Sequence, residues 1–254
     1  MRKRSVGLGA RLYLAALVGV ALLAFLDRGA AATPAATPAG KVTFLAGEAS
    51  RKAGGKTQKL AIGAPVFEGD VLETARRTRL EVKLADQSVV RLGPASRAVM
   101  QAARFGSTVE DRKVSAKLVV GQVWANVAKA IGGEARFEVQ TENAVAGVRG
   151  TTFRVDAARD RSVVVKVYSG TVAVAAGPIP RPDHAGGDEQ KPTQRKQIAG
   201  PQEVSREQWE KIVTSMMQVK VSADGKPSEP EQFAMAETGD EWEAWNRERD
   251  AMAE

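Results

Sequence analysis

Residues 146–155 read Ala-Gly-Val-Arg-Gly-Thr-Thr-Phe-Arg-Val, and the reading of this stretch decides the fold class. Gly147 and Gly150 stand three apart with Arg149 between them. Glycine adopts backbone angles that other residues avoid, so the pair marks a tight bend. Val148, Thr151, Thr152, Phe153 and Val155 have the β-branched and aromatic content of a strand. The local expectation is a strand entered through a glycine bend. Arg149 is read as a structural arginine that hydrogen-bonds carbonyls or a carboxylate at the bend, with an anion or partner contact as the alternative.

Outward from this strand, Lys41 to about Val174 keeps a period of two. Leu80, Val82 and Leu84 alternate with Arg79, Glu81 and Lys83, the pattern of a strand with one buried face. Asp86-Gln87-Ser88 is a short polar connection to Val90 and Leu92, which reads as a β-hairpin. Further strands are expected at 118–120, 123–127, 137–139 and 163–167, and Gly69-Asp70 is a turn signal. Turn signals recur about every ten residues, as in a sandwich or rolled sheet. The fold class is therefore all-β: rolled antiparallel sheets, sandwich-like or a short β-solenoid, with C-terminal α-helices. A weak echo joins 117–125 to 166–174, each a strand, a glycine (Gly121, Gly170) and a strand. A true repeat would favour the solenoid. The β domain is placed at 41–204, with the Pro- and Gly-rich 177–200 as a loop insertion and 197–204 returning as an edge strand.

The two ends differ from this body. Arg2-Lys3-Arg4, the apolar run Leu12–Leu26 and Ala30-Ala31-Ala32 form a positive, apolar, small-residue series. Residues 1–32 are accordingly read as a signal peptide or an uncleaved N-terminal anchor, with inner-membrane contact through 12–26 if uncleaved. Thr33–Gly40 is a Pro/Ala/Thr linker. Residues 205–254 are assigned to an acidic helical tail. Ser205 and Gln208 form a capping box, and Trp209, Ile212, Val213 and Met216 fall at helical spacing, so a helix is expected over Arg206–Met217. A short helical piece is expected at Glu231–Glu237, and a last helix capped by Asp240 carries Trp242 and Trp245. Trp209, Trp242 and Trp245 are candidate docking residues, either on the chain's own body or on a partner.

The chain has 254 residues, 43% of them hydrophobic but only 5% aromatic, so the core must be built from Val, Leu, Ala and Ile. It has no cysteine, which excludes disulfides, thiolate metal sites and a cysteine nucleophile. Residues 33–202 carry 26 basic and 16 acidic side chains, whereas 203–254 carry 6 basic and 13 acidic ones. Such a split fits a tail that packs on the body and offsets its charge, or a surface for an anionic partner. His184, the sole histidine, lies in a Pro/Gly loop and is read as surface rather than as a metal ligand or triad member. The glycine pairs lack the lysine and threonine spacing of a phosphate loop. No catalytic residue, cofactor or metal site is assigned.

Five segments in order resemble a FecR domain, the extracytoplasmic domain named after the ferric-citrate regulator. They are Gly69-Asp70 followed by Thr74, the hairpin Leu80–Leu92, Gly121-Gln122-Val123, the Val-Arg-Gly-Thr-x-Phe-x-Val series at 148–155, and Val167 to Val172 through Gly170. The tail sequence 241–250 is similar to a Trp-containing segment that follows FecR domains in some secreted proteins. The resemblance implies an exported β domain that binds or senses something in the envelope. The first expectation is a non-enzymatic binding module whose partner is an envelope protein or an anionic polysaccharide; nucleic acid is not expected. About eleven residues precede the apolar run, too few for a cytoplasmic anti-sigma segment, so the regulators' sigma-factor and receptor functions are not expected to carry over. A periplasmic sensing component is the alternative, and an envelope glycan hydrolase a second one. The signature residues Gly69, Asp70, Gly121, Gly147, Val148, Arg149, Gly150, Thr151, Phe153, Val155 and Gly170 are expected to specify the fold.

Overall fold

The alternation that begins near Lys41 becomes a succession of short strands. The computed structural model describes residues 37–106, 112–128, 136–148, 150–177, 210–234 and 240–252. Pro38–Glu254 forms one compact unit. In chain order the strands are β1 (Gly40–Ala46), β2 (Ala49–Ala53), β3 (Lys56–Lys59), β4 (Pro65–Val66), β5 (Val71–Thr74), β6 (Arg79–Leu84), β7 (Val89–Leu92), β8 (Arg97–Phe105) and β9 (Arg112–Asn126). They continue as β10 (Arg136–Gln140), β11 (Ala144–Val148), β12 (Thr152–Ala157), β13 (Val163–Ser169), β14 (Thr171–Ala176), β15 (Glu210–Thr214), β16 (Met217–Val221) and β17 (Glu231–Gln232). One helix, α1 (Glu241–Ala251), follows.

The strands form two layers joined through the 15-residue β9. Layer A runs β4-β1-β6-β7-β9-β12-β13-β16-β17. Layer B runs β3-β2-β5-β8-β9-β10-β11-β14-β15. All these pairings are antiparallel except β9–β10, which is parallel. The expected all-β rolled architecture is therefore present, and its ends stay open rather than closing into a barrel.

The core lies between the layers. Leu80, Val82, Leu92, Val123, Phe153 and Val165 project inward from A; Leu72, Met100, Leu118, Phe137, Val139 and Val172 do so from B. Phe137 meets Phe153 edge-on across the gap, with ring centroids 6.3 Å apart. Each such aliphatic or aromatic side chain contributes about 1.5–3 kcal/mol on burial. The scarcity of aromatics explains why so many valines take part.

Two glycines carry the chain from layer to layer. In β9, Gly121 has φ +100°, and a Cβ there would lie 2.3 Å from Ser96 Oγ. Gly170, between β13 and β14, has φ +90°, with Thr151 Oγ1 2.8 Å from the same position. The echo between 117–125 and 166–174 thus marks two interlayer bends. Register puts them at opposite margins: Ala157 pairs with Gly121, whereas Thr152, at the other end of β12, pairs with Ser169 beside Gly170.

Three expectations about the tail need correction. Residues 210–214 and 217–221 are strands, so the described part of the expected Arg206–Met217 helix is not helical; residues 206–209 lie outside the described residues. Ile212, Val213, Thr214, Val219 and Val221 are β-branched, Ser215-Met216 makes the turn, and Val213, Val219 and Val221 are buried, so pairing with β14 and β13 overrides the helical spacing. Met216 takes φ +63° there, and Ile212, assigned to the apolar helix face, is 55% exposed. Glu231–Gln232 pair with β16 rather than starting a helical piece. Among the described residues the expected set of C-terminal helices is a single one, capped as expected by Asp240, whose Oδ1 accepts from the Glu243 N–H at 3.0 Å. Residues 1–36 and 178–209, with the candidate export segment, His184 and the expected edge strand at 197–204, lie outside the described residues. No helix among the described residues is long and apolar enough to cross a membrane.

Candidate interaction surface

Strand alternation turns every second side chain of layer A away from the core. At one register these outward residues form a row across seven strands. Phe44 pairs with Glu81, Glu81 with Arg91, Arg91 with Trp124, Trp124 with Arg154, Arg154 with Lys166 and Lys166 with Gln218. A free outer face would leave this row in water. Instead Glu81 is 6% exposed, Arg91 1%, Trp124 1% and Arg154 5%.

The cover is α1. Trp242, Trp245, Asn246, Arg249 and Asp250 follow the three- and four-residue spacing of one helix face. Arg249 donates from Nε and Nη2 to the two carboxylate oxygens of Glu81, at 2.8 and 2.9 Å. Arg91 Nε donates to Glu81 Oε2 at 2.7 Å, and Arg91 Nη1 lies 2.7 Å from Asp250 Oδ1. The Trp124 indole N–H donates to Asp250 Oδ2 at 2.9 Å. Arg154 donates to Asp156 in its own strand and to Asp240 at the helix start. The Glu243 carboxylate sits 3.7 Å from Lys166 Nζ and 3.9 Å from Arg154 Nη1. Trp245 stacks on Trp242 and tilts against Phe44, each at 5.2 Å between centroids, and the Arg249 guanidinium lies 4.5 Å above the Phe44 ring. The tail carboxylates thus land on the cations of the body, and Arg249 of the tail lands on Glu81.

Protonation follows the contacts. Burial alone would push the Glu81 carboxyl up, but hydrogen bonds from Arg249, Arg91 and Thr43 outweigh it and hold it at about 2. Burial likewise opposes the lowering of Asp240, which Arg154 and the Glu243 N–H bring about. Burial and the neighbouring Glu243 charge push the Tyr168 phenol up, so it stays protonated. The arrangement can bind and orient charged groups. Among the described residues no group of three or more His, Asp or Glu could hold a metal ion.

The signature residues sit elsewhere. Asp70 Oδ2 accepts from the Phe67 N–H at 2.8 Å and pairs with Arg51 at 3.1 Å, closing the Phe67–Asp70 turn that contains Gly69. Val148, Phe153 and Val155 are in the core, and Gly147 lies in β11. Gly150 takes φ +59°, and Thr151 Oγ1 donates to Thr171 O at 3.0 Å. Arg149 and Trp209 lie outside the described residues. Trp242 and Trp245 pack on the chain's own layer A. Sequence reasoning missed Glu81, Arg91, Trp124 and Arg154, because outward charges on a strand read as a solvated face. The available signal was the acidic tail facing a basic body.

Fold and surface together define a two-layer β domain whose outer face carries an ionic docking site for a helix. A family model described as FecR protein matches residues 70–173, the part of the chain that holds the resemblance to a FecR domain. That match begins at Asp70, ends within β14 and includes Glu81, Arg91, Trp124 and Arg154; β1–β4 and the tail lie outside it. No curated protein matches the chain. Two crystal structures of a candidate anti-sigma factor from Parabacteroides distasonis align at 18% identity and TM-score 0.42, over 64% of this chain and 59% of that one. The chain thus covers about three fifths of that protein's length.

Proposed function

We propose that the chain is a non-enzymatic binding module of the bacterial cell envelope, acting outside the cytoplasm in sensing or signalling. The FecR match over 70–173 carries this reading. It is supported by the use of the buried titratable groups of layer A: Glu81, Arg91 and Arg154 are each engaged by an opposite charge, an arrangement suited to recognition. The export reading of residues 1–32 agrees with it. The partner is proposed to be an envelope protein, since the face in use accepts a helix.

A fusion of the whole chain to a reporter that is active only outside the cytoplasm tests the compartment. Activity, with N-terminal sequencing of the product, is expected. Cytoplasmic retention of the full-length chain contradicts the proposal. A retained anchor favours a membrane-coupled sensor, and a product starting near Thr33 favours a freely diffusing binding module.

A further inference from the structure

Among the described residues, no backbone–backbone hydrogen bond joins α1 to layer A; the helix is held through side chains. Most of these are ionic: Arg249 with Glu81, Asp250 with Arg91, Asp240 with Arg154, Glu243 with Lys166 and Glu241 with Arg79. Trp242 and Trp245 supply the large apolar contacts. An 11-residue helix is marginal in water by itself, so α1 owes its structure to the sheet beneath it. The cis fit is also incomplete. The buried Trp242 Nε1 has no acceptor among the described residues, and Glu243 meets its cations at ion-pair rather than hydrogen-bond distance.

We propose that the outer face of layer A is a receptor for an acidic, tryptophan-bearing helix, and that α1 occupies it in cis until a partner protein's helix replaces it. The partner helix carries carboxylates at positions equivalent to Asp240, Glu243 and Asp250, and aromatic rings at those of Trp242 and Trp245. Charge complementarity selects it: Arg91, Arg154 and Lys166 present a cationic row that rejects a basic helix. Buried ion pairs contribute specificity and register more than net affinity, which suits an exchangeable ligand. Covalent continuity with the body gives α1 an effective concentration on the order of mM, so only a tighter partner displaces it. This deepens the binding-module reading and rests on it for the existence of a partner; the exchange itself rests on the contacts above.

The test uses the full chain with a protease site in place of residues 235–239, cut after folding, and a fluorescent peptide of residues 239–254 as probe. The cut chain is expected to take up the peptide, the uncut chain to bind it at least about tenfold more weakly. An Asp250→Asn peptide should bind about tenfold more weakly than the parent, and raising salt from about 0.05 to 0.5 M should weaken the parent peptide. Circular dichroism of the cut chain reports whether the β body stays folded. Loss of the β signal on cutting, no uptake by the cut chain, equal uptake by the uncut chain, or an indifferent Asp250→Asn peptide would each overturn the proposal. None of these readouts depends on compartment, so failure here is distinct from failure of the export test.

Discussion

Arg249 on α1 and Glu81 on β6, 168 residues apart in the chain, face each other through two parallel hydrogen bonds of 2.8 and 2.9 Å. Glu81 also accepts from Arg91 and from the Thr43 hydroxyl, at 2.7 Å in each case. A single carboxylate thus ties β1, β6, β7 and the C-terminal helix together. This bidentate geometry is the strong form of the arginine–carboxylate contact.

Acid should release the helix. The folded-state pKa of Glu81 is depressed from 4.5 to about 2, so its stabilising contribution is complete above the higher value and is lost as pH falls toward the lower one. The contribution is of the order of 3 kcal/mol. Thermal unfolding followed by circular dichroism should show stability falling across that window, with Asp240 adding to the loss because its pKa is also lowered. In a Glu81→Gln variant the fall should be visibly shallower.

Burial should separate two arginines that look alike in sequence. Arg91 is 2% exposed in its side chain and pairs with Glu81 and Asp250, so Arg91→Met leaves the buried Glu81 and the partly buried Asp250 short of a cation. A loss of about 3–5 kcal/mol is expected. Arg79 pairs with the exposed Glu241 at 3.5 Å, and Arg79→Met should change stability by less than about 1 kcal/mol. Urea unfolding of the two variants checks the contrast.

The β body was legible because its signals are local. Val148–Val155 has strand content and a glycine bend, Leu80–Leu92 alternates, and Asp240 announces a helix start. The same locality misled at 210–221. Trp209, Ile212, Val213 and Met216 match a helix period, but the choice is made by β13 and β14, which β16 and β15 extend. The docking surface was the least legible part. Glu81, Arg91 and Arg154 look like solvent-facing charges on their strands, and only the fold brings α1 over them. Net charge pointed the right way, toward an acidic tail on a basic body, without naming the pairs.

Gly121 should tolerate no side chain. Its φ is +100°, and a Cβ at this position would sit 2.3 Å from Ser96 Oγ and 2.5 Å from Ser96 Cα. Gly121→Ala therefore combines backbone strain with a clash against the Ser96 backbone. A loss of more than about 3 kcal/mol, or failure to fold, is expected. Gly55→Ala, with φ +79° and open space around it, should cost about 1 kcal/mol. Soluble yield and melting temperature distinguish the two.

Asp240 has two separable tasks, capping α1 and pairing with Arg154. Asp240→Asn keeps a capping oxygen and removes the charge, whereas Asp240→Ala removes both. The alanine variant should be less stable than the asparagine one by about 1 kcal/mol, the worth of a cap. Equal stabilities would mean that the cap contributes nothing beyond the ion pair.

The central claim is that α1 is held on layer A by specific charge pairing, and a double-mutant cycle on Glu81→Gln and Arg249→Gln tests it most directly. A coupling energy of about 2 kcal/mol in equilibrium unfolding is predicted, because each residue is the other's bidentate partner. Additive effects, with a coupling energy near zero, would contradict it.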